Sequence, residues 1–88
     1  MKITRIGKIE QFEKLKKGDF VLVEWNDYAV KHDKKRKKIM GYNIIEFKRD
    51  AHEIILRKAG NHYFNYEMVI EGRSSASEVL LVEMKNGD

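Results

Sequence analysis

The sequence predicts a mainly β domain: a small barrel, or a strongly bent five-stranded antiparallel sheet, with one short helix at the N-terminus. Three observations lead there. From Gly18 onward apolar residues recur with period two, which puts alternate side chains on one face of a sheet. The apolar stretches are short and divided by polar turns, as a meander requires. The chain has 88 residues, which suits one domain over 1–88. A chain of this size buries only about 60–65% of its unfolded surface, so curling or closing the sheet is the economical way to hide edges.

Before Gly18 the spacing is three: Ile3, Ile6, Ile9, Phe12 and Leu15. IEQFEKLK (9–16) reads as a helix with Glu10 and Glu13 early, Lys16-Lys17 late and Gly18 at the cap, an order that suits the helix dipole. KITRI ahead of it reads as a short edge strand. DFVLVEW is the first strand of the sheet, with Val21, Val23 and Trp25 on one face. YNIIEFK (42–48), HEIILRK (52–58), HYFNYEMVIE (62–71) and EVLLVEM (78–84) follow. Lys48-Arg49-Asp50-Ala51 is a turn in which Asp50 can bond neighbouring backbone. Ala59-Gly60-Asn61 reads as a three-residue hairpin loop, pairing Lys58 with His62, Leu56 with Phe64 and Ile54 with Tyr66. GRSSAS (72–77) is a polar loop. The expected core is Val21, Val23, Trp25, Ile45, Phe47, Ile54, Leu56, Phe64, Tyr66, Met68 and Ile70. It is completed by either Leu80/Val82 or Val79/Leu81, between which the pattern does not choose.

The charge is local. The chain carries 18 basic and 14 acidic residues, a net of +4. KHDKKRKK (31–38) holds six basic residues against one acidic, and the rest of the chain 12 against 13, a net of −1. A clustered patch, rather than a general excess of lysine, is the electrostatic footprint of nucleic-acid contact.

LKKGDFVLVEW (15–25) resembles the opening strand of SH3-like small β-barrels, in which a Gly-Asp pair enters an alternating strand. GDFVLVEWNDYAV (18–30) with YNIIEFKRDAHEI (42–54) is similar to the Tudor-like variant, through a Trp ending the first strand, a Tyr-x-Val second strand and an aromatic ending the third. The chain departs from that pattern where Lys48-Arg49-Asp50 replaces the usual Gly, and its aromatic set is incomplete. The resemblance implies that Trp25, Tyr28, Tyr42 and Phe47 are the positions for a methyl-cation cage, set against the plainer role of core and rim aromatics. It also implies that YAVK (28–31) and KKIMGYN (37–43) pair as a hairpin tipped by HDKKR. The alternative is a loop of about a dozen residues without structure of its own.

Sharper chemistries find little in the residues. Ser74, Ser75 and Ser77 sit in a Gly-Arg turn and not in a nucleophile elbow, so no enzyme is expected. His32, His52 and His62 lack zinc-ligand spacing, and the six glycines form no phosphate loop, so no metal or other cofactor is expected. Cysteine is absent, which is compatible with a reducing compartment. No apolar run approaches the roughly 20 residues of a membrane span, and MKITRIGKIEQFEK lacks a signal peptide's apolar stretch. The expectation is a soluble cytoplasmic protein without membrane contact.

The best-supported partner is DNA or RNA. Lys31, Lys34, Lys35, Arg36, Lys37 and Lys38 would contact phosphates without sequence preference, with Lys48 and Arg49 extending the stripe and Tyr28, Tyr42 or Tyr63 stacking on bases. The alternative is an interaction module that binds a protein partner, or itself as a homo-oligomer, through an edge strand. On that reading the basic run is a solvated loop, and EVLLVEM, apolar on both faces, needs cover.

Overall fold

A computed structural model describes residues 1–33, 36–58 and 60–84. The chain forms one mainly β unit of six antiparallel strands: β1 (Lys2–Ile6), β2 (Phe20–Trp25), β3 (Ile39–Lys48), β4 (Glu53–Arg57), β5 (Asn61–Asn65) and β6 (Ala76–Glu83). Among the described residues three short α-helices interrupt them, α1 (Ile9–Glu13), α2 (Asp27–His32) and α3 (Tyr66–Ile70), and a 3-10 turn, Arg49–Ala51, joins β3 to β4. The strand order is β1-β6-β2-β3-β4-β5, so KITRI is indeed an edge strand and adds a sixth to the expected five. Among the described residues no helix is long and apolar enough to cross a membrane.

The sheet is bent. In a flat sheet β2 and β5 would lie three strand spacings apart, roughly 14 Å. The rings of Trp25 on β2 and His62 on β5 instead have centroids 6.4 Å apart. One buried cluster draws on all six strands, on Phe12 of α1, Ala29 of α2 and Tyr66 of α3, and on Leu15.

Four expectations are corrected, each for a local reason. α1 ends at Glu13 rather than Lys16, because Lys14 and Leu15 bond back three residues, to the carbonyls of Gln11 and Phe12. The chain from Asp27 to His32 is a helix and not a hairpin arm. Asn26 Oδ1 accepts from the Ala29 amide at 2.9 Å, and an asparagine cap satisfies a helix start that a strand lacks. Likewise HYFNYEMVIE is a strand only to Asn65. Asn65 Oδ1 accepts from the Met68 amide at 3.1 Å and starts α3, and just past its end Gly72 takes φ +74°, a left-handed turn that suits glycine. Tyr66 stays buried, but Met68 is only half-buried and Ile70 exposed, so neither belongs to the core as expected. Finally, a bulge between Ile44 and Glu46 changes which face β3 presents. Tyr42 and Ile44 are buried, Ile45 is turned out of the core, and Phe47 packs partly against it.

Two expectations about pairing resolve. The β4–β5 hairpin sets Arg57 opposite Asn61 and Ile54 opposite Phe64, so the three-residue loop is 58–60 rather than 59–61. Ala59 lies outside the described residues. The shift is two positions, so every side chain keeps its face. On β6, Val79 is buried and Leu81 packs against the core, while Leu80 and Val82 lie on the other face.

Candidate nucleic-acid interface

The basic run is tethered at both ends. Asn26 caps α2, which delivers Lys31 and His32 to its last turn, and the Lys38 carbonyl accepts from the Trp25 amide at 2.7 Å. Lys31, Lys37 and Lys38 are exposed, while Lys34 and Lys35 lie outside the described residues. Lys38 Nζ lies 3.8 Å from Asp27 Oδ1 at the surface, a pair that solvent screens.

Arg36 behaves differently from its lysine neighbours. Its side chain is only 20% exposed, and its guanidinium carbon lies 4.2 Å from the Trp25 ring centroid. Its Nη2 lies 3.0 Å from His62 Nδ1, and its Nε lies 3.7 Å from Asp33 Oδ2. A guanidinium is always protonated and can only donate, so His62 Nδ1 accepts and the ring is neutral, with its proton on Nε2. Beneath it, Trp25 Nε1 donates to the Tyr42 hydroxyl at 2.9 Å, and that hydroxyl lies 3.3 Å from Met40 Sδ. Burial pushes the Tyr42 hydroxyl above its ordinary value, against the Trp25 hydrogen bond, which lowers it.

This geometry separates the aromatic positions. Trp25 and Tyr42 meet edge to face, 6.1 Å apart, and both are buried. Tyr28 is 68% exposed on α2, beside His32, and Phe47 lies against Tyr66. The four do not converge on a cage, and a cation of the chain's own already occupies the Trp25 face. Lys48 and Arg49 do not extend the run either. Lys48 ends β3, nine residues from Ile39 and so roughly 30 Å of strand away, and Arg49 follows it in the turn. There Arg49 donates to the Glu13 carbonyl at 3.1 Å.

The basic surface continues in another direction. A cleft of about 430 Å³ opens beside Trp25, lined by Arg36, His62, Tyr63, Arg73 and Ser75 among others, and its charged residues are the two arginines. A smaller cleft of about 230 Å³ shares Arg36 and His62 with it and adds Lys58 and Asp33. Tyr63 is 65% exposed at the rim. Nothing in the residue pattern joins Lys58 or Arg73 to the run, since hairpin register and a loop bring them there. The loop is tied in place where the Asn26 amide donates to the Ser75 carbonyl at 2.8 Å. Among the described residues no three His, Asp or Glu side chains gather as metal ligands. Comparison with known proteins finds no matching family model, no matching curated protein and no matching solved structure.

A pH dependence follows from His62. Burial, then the Arg36 charge, hold its pKa below the ordinary 6.5, with Asp33 pulling the other way. The unfolded chain therefore binds a proton at His62 more readily than the folded one, and stability falls as pH drops below about 6.5 toward the folded value. The Tyr42 hydroxyl, held above its ordinary value by burial, stays protonated across that window. The urea midpoint of the wild type should fall more steeply between pH 7.5 and 5.5 than that of His62→Gln. Parallel slopes would mean that His62 is not the acceptor for Arg36.

Proposed function

We propose that this chain is a small non-enzymatic accessory module of the cytoplasm that contacts nucleic-acid phosphates without reading base sequence. The observation that carries the reading is the placement of cations on one side of the fold. Exposed Lys31, Lys37 and Lys38 flank an anchored Arg36, and Arg36, Lys58 and Arg73 line adjoining clefts beside exposed Tyr63. Lysines supply affinity through counterion release, and an exposed aromatic accepts any base by stacking. No helix here has the length to read a major groove, since the longest has six residues among those described. The meander from β2 to β5, with β6 returning beside β2, supports an SH3-like reading of the sheet.

Filter binding to single- and double-stranded DNA and RNA over a range of salt tests the proposal. If four or five phosphates are contacted, log affinity against log salt has a slope of about −3 to −3.5 on single strands and about −3.6 to −4.5 on duplex DNA. Changing Lys31, Lys34, Lys35, Lys37 and Lys38 to Ser, with Arg36 kept as the structural anchor, should flatten that slope and weaken binding by at least about tenfold at low salt. Equal affinity and slope in both proteins would refute the reading.

A further inference from the structure

The outer face of the sheet carries a groove of about 520 Å³ whose floor is Phe20, Leu22 and Ile45 and whose rim holds Arg57 and Lys58. No carboxylate of the described residues lines it. Phe20 is 39% exposed, and its ring lies over Gly41, where a Cβ would leave it no room. On the helical side of the molecule, a second hollow of about 440 Å³ has the opposite character. Ile9 and Ile70, each 41% exposed, are surrounded there by Glu10, Glu67 and Glu71, with Lys8 the one cation in the lining. Glu67 also meets His52 and Glu71 meets Arg73, both at the surface.

The two hollows face away from each other. Phe20 and Leu22 alternate along β2 with buried Val21 and Val23, so they look out of the sheet face that the core does not use. Phe12 of α1 and Tyr66 of α3 stack in the core, so the exposed residues of those helices look out on the other side. An apolar floor with a basic rim and an apolar floor with an acidic rim are complementary in both charge and polarity.

We propose that the occupant of the outer groove is a second copy of this chain, presenting its Ile9–Ile70 patch head to tail. Because the joined surfaces differ, the contact is heterologous, and each copy keeps one free patch for the next, giving a ring or an open filament. The proposal does not rest on nucleic-acid binding: the two surfaces share Lys58, and sedimentation is read without nucleic acid.

Sedimentation velocity from micromolar to millimolar protein, at low and raised salt, tests it on the full chain. The wild type should associate with concentration and dissociate with salt. Two variants reverse one rim each: Arg57→Glu with Lys58→Glu, and Glu10→Lys with Glu71→Lys. Each alone should weaken association at least tenfold while retaining the far-ultraviolet circular dichroism of the wild type. Mixed in equal amounts they should associate again, because each reversed rim meets its new complement. A wild type that stays monomeric throughout, association that survives both reversals, or a mixture that stays monomeric would each overturn the proposal. A monomeric wild type would leave the groove to some other molecule.

Discussion

Phe12→Ala is expected to lower the unfolding free energy by about 3–5 kcal/mol, the range for deleting a buried aromatic ring. Phe12 is fully buried and is the one buried residue of α1. Its ring stacks on Tyr66 with centroids 5.5 Å apart and meets Phe64 edge-on at 6.1 Å. It therefore ties α1 to α3 and both to β5, and removing it leaves a cavity that three separate elements would have to collapse to fill. A domain of this length has a total stability on the order of 4–13 kcal/mol, so the loss brings the variant close to its unfolding threshold. The chain's single tryptophan is buried Trp25, so its fluorescence in urea reports global unfolding. A shift below about 1 kcal/mol would show that α1 is not anchored through this ring. Ile9→Ala, on the exposed side of the same helix, provides the contrast at within about 0.5 kcal/mol.

The strands were readable where two-residue alternation met one clear buried face. Val21, Val23 and Trp25, and Ile54 with Leu56, fall inward as the pattern says. Alternation holds for Phe64 and Tyr66 but misled at Met68 and Ile70, because the same spacing continues across a helix start. The signal that decides it is Asn65, whose short side chain bonds an amide three residues on, and Asn26 does the same before α2. Each asparagine directly follows a convincing run of alternation, which hid its capping role. The bulge at Ile45 left no such mark. It is set by pairing between β3 and β4, and a single inserted residue exchanges the faces of everything before it.

The candidate site was legible as charge but not as architecture. Net charge located the run; it did not show that Arg36 turns inward while Lys37 and Lys38 stay in water. One clue was present: Arg36 is the only arginine among five lysines in KHDKKRKK. A guanidinium is planar and weakly hydrated and lies well on an indole, whereas an ammonium keeps its water. Its other partner, His62, is 26 residues away, and the bend of the sheet brings it within reach. Lys48 and Arg49 look adjacent to the run when strands are counted as short turns apart. The length of β3, ten residues, carries them to the far end of the molecule.

Trp25→Ala should be about as damaging as the loss of Phe12, at about 3–5 kcal/mol, followed by circular dichroism because the fluorophore is gone. The ring is 2% exposed and supports three things at once: the core, the Tyr42 hydroxyl and the Arg36 guanidinium. Trp25→Phe separates them. It keeps most of the apolar volume but removes the indole N–H, so Tyr42 loses its donor at a cost of about 1–3 kcal/mol. It also offers Arg36 a poorer face. Pairing each Trp25 change with Arg36→Leu completes a double-mutant cycle. A guanidinium seated on an indole should give a coupling of about 0.5–2 kcal/mol, since the stacking exists only when both groups are present. Additivity within about 0.3 kcal/mol would show that the contact contributes nothing. With coupling, Arg36 is structural: it pins the middle of the basic run to the core. Lys31, Lys37 and Lys38 are then carried on a fixed base rather than on a free loop, and on the proposed function nucleic-acid affinity should fall in Arg36→Leu although these lysines remain.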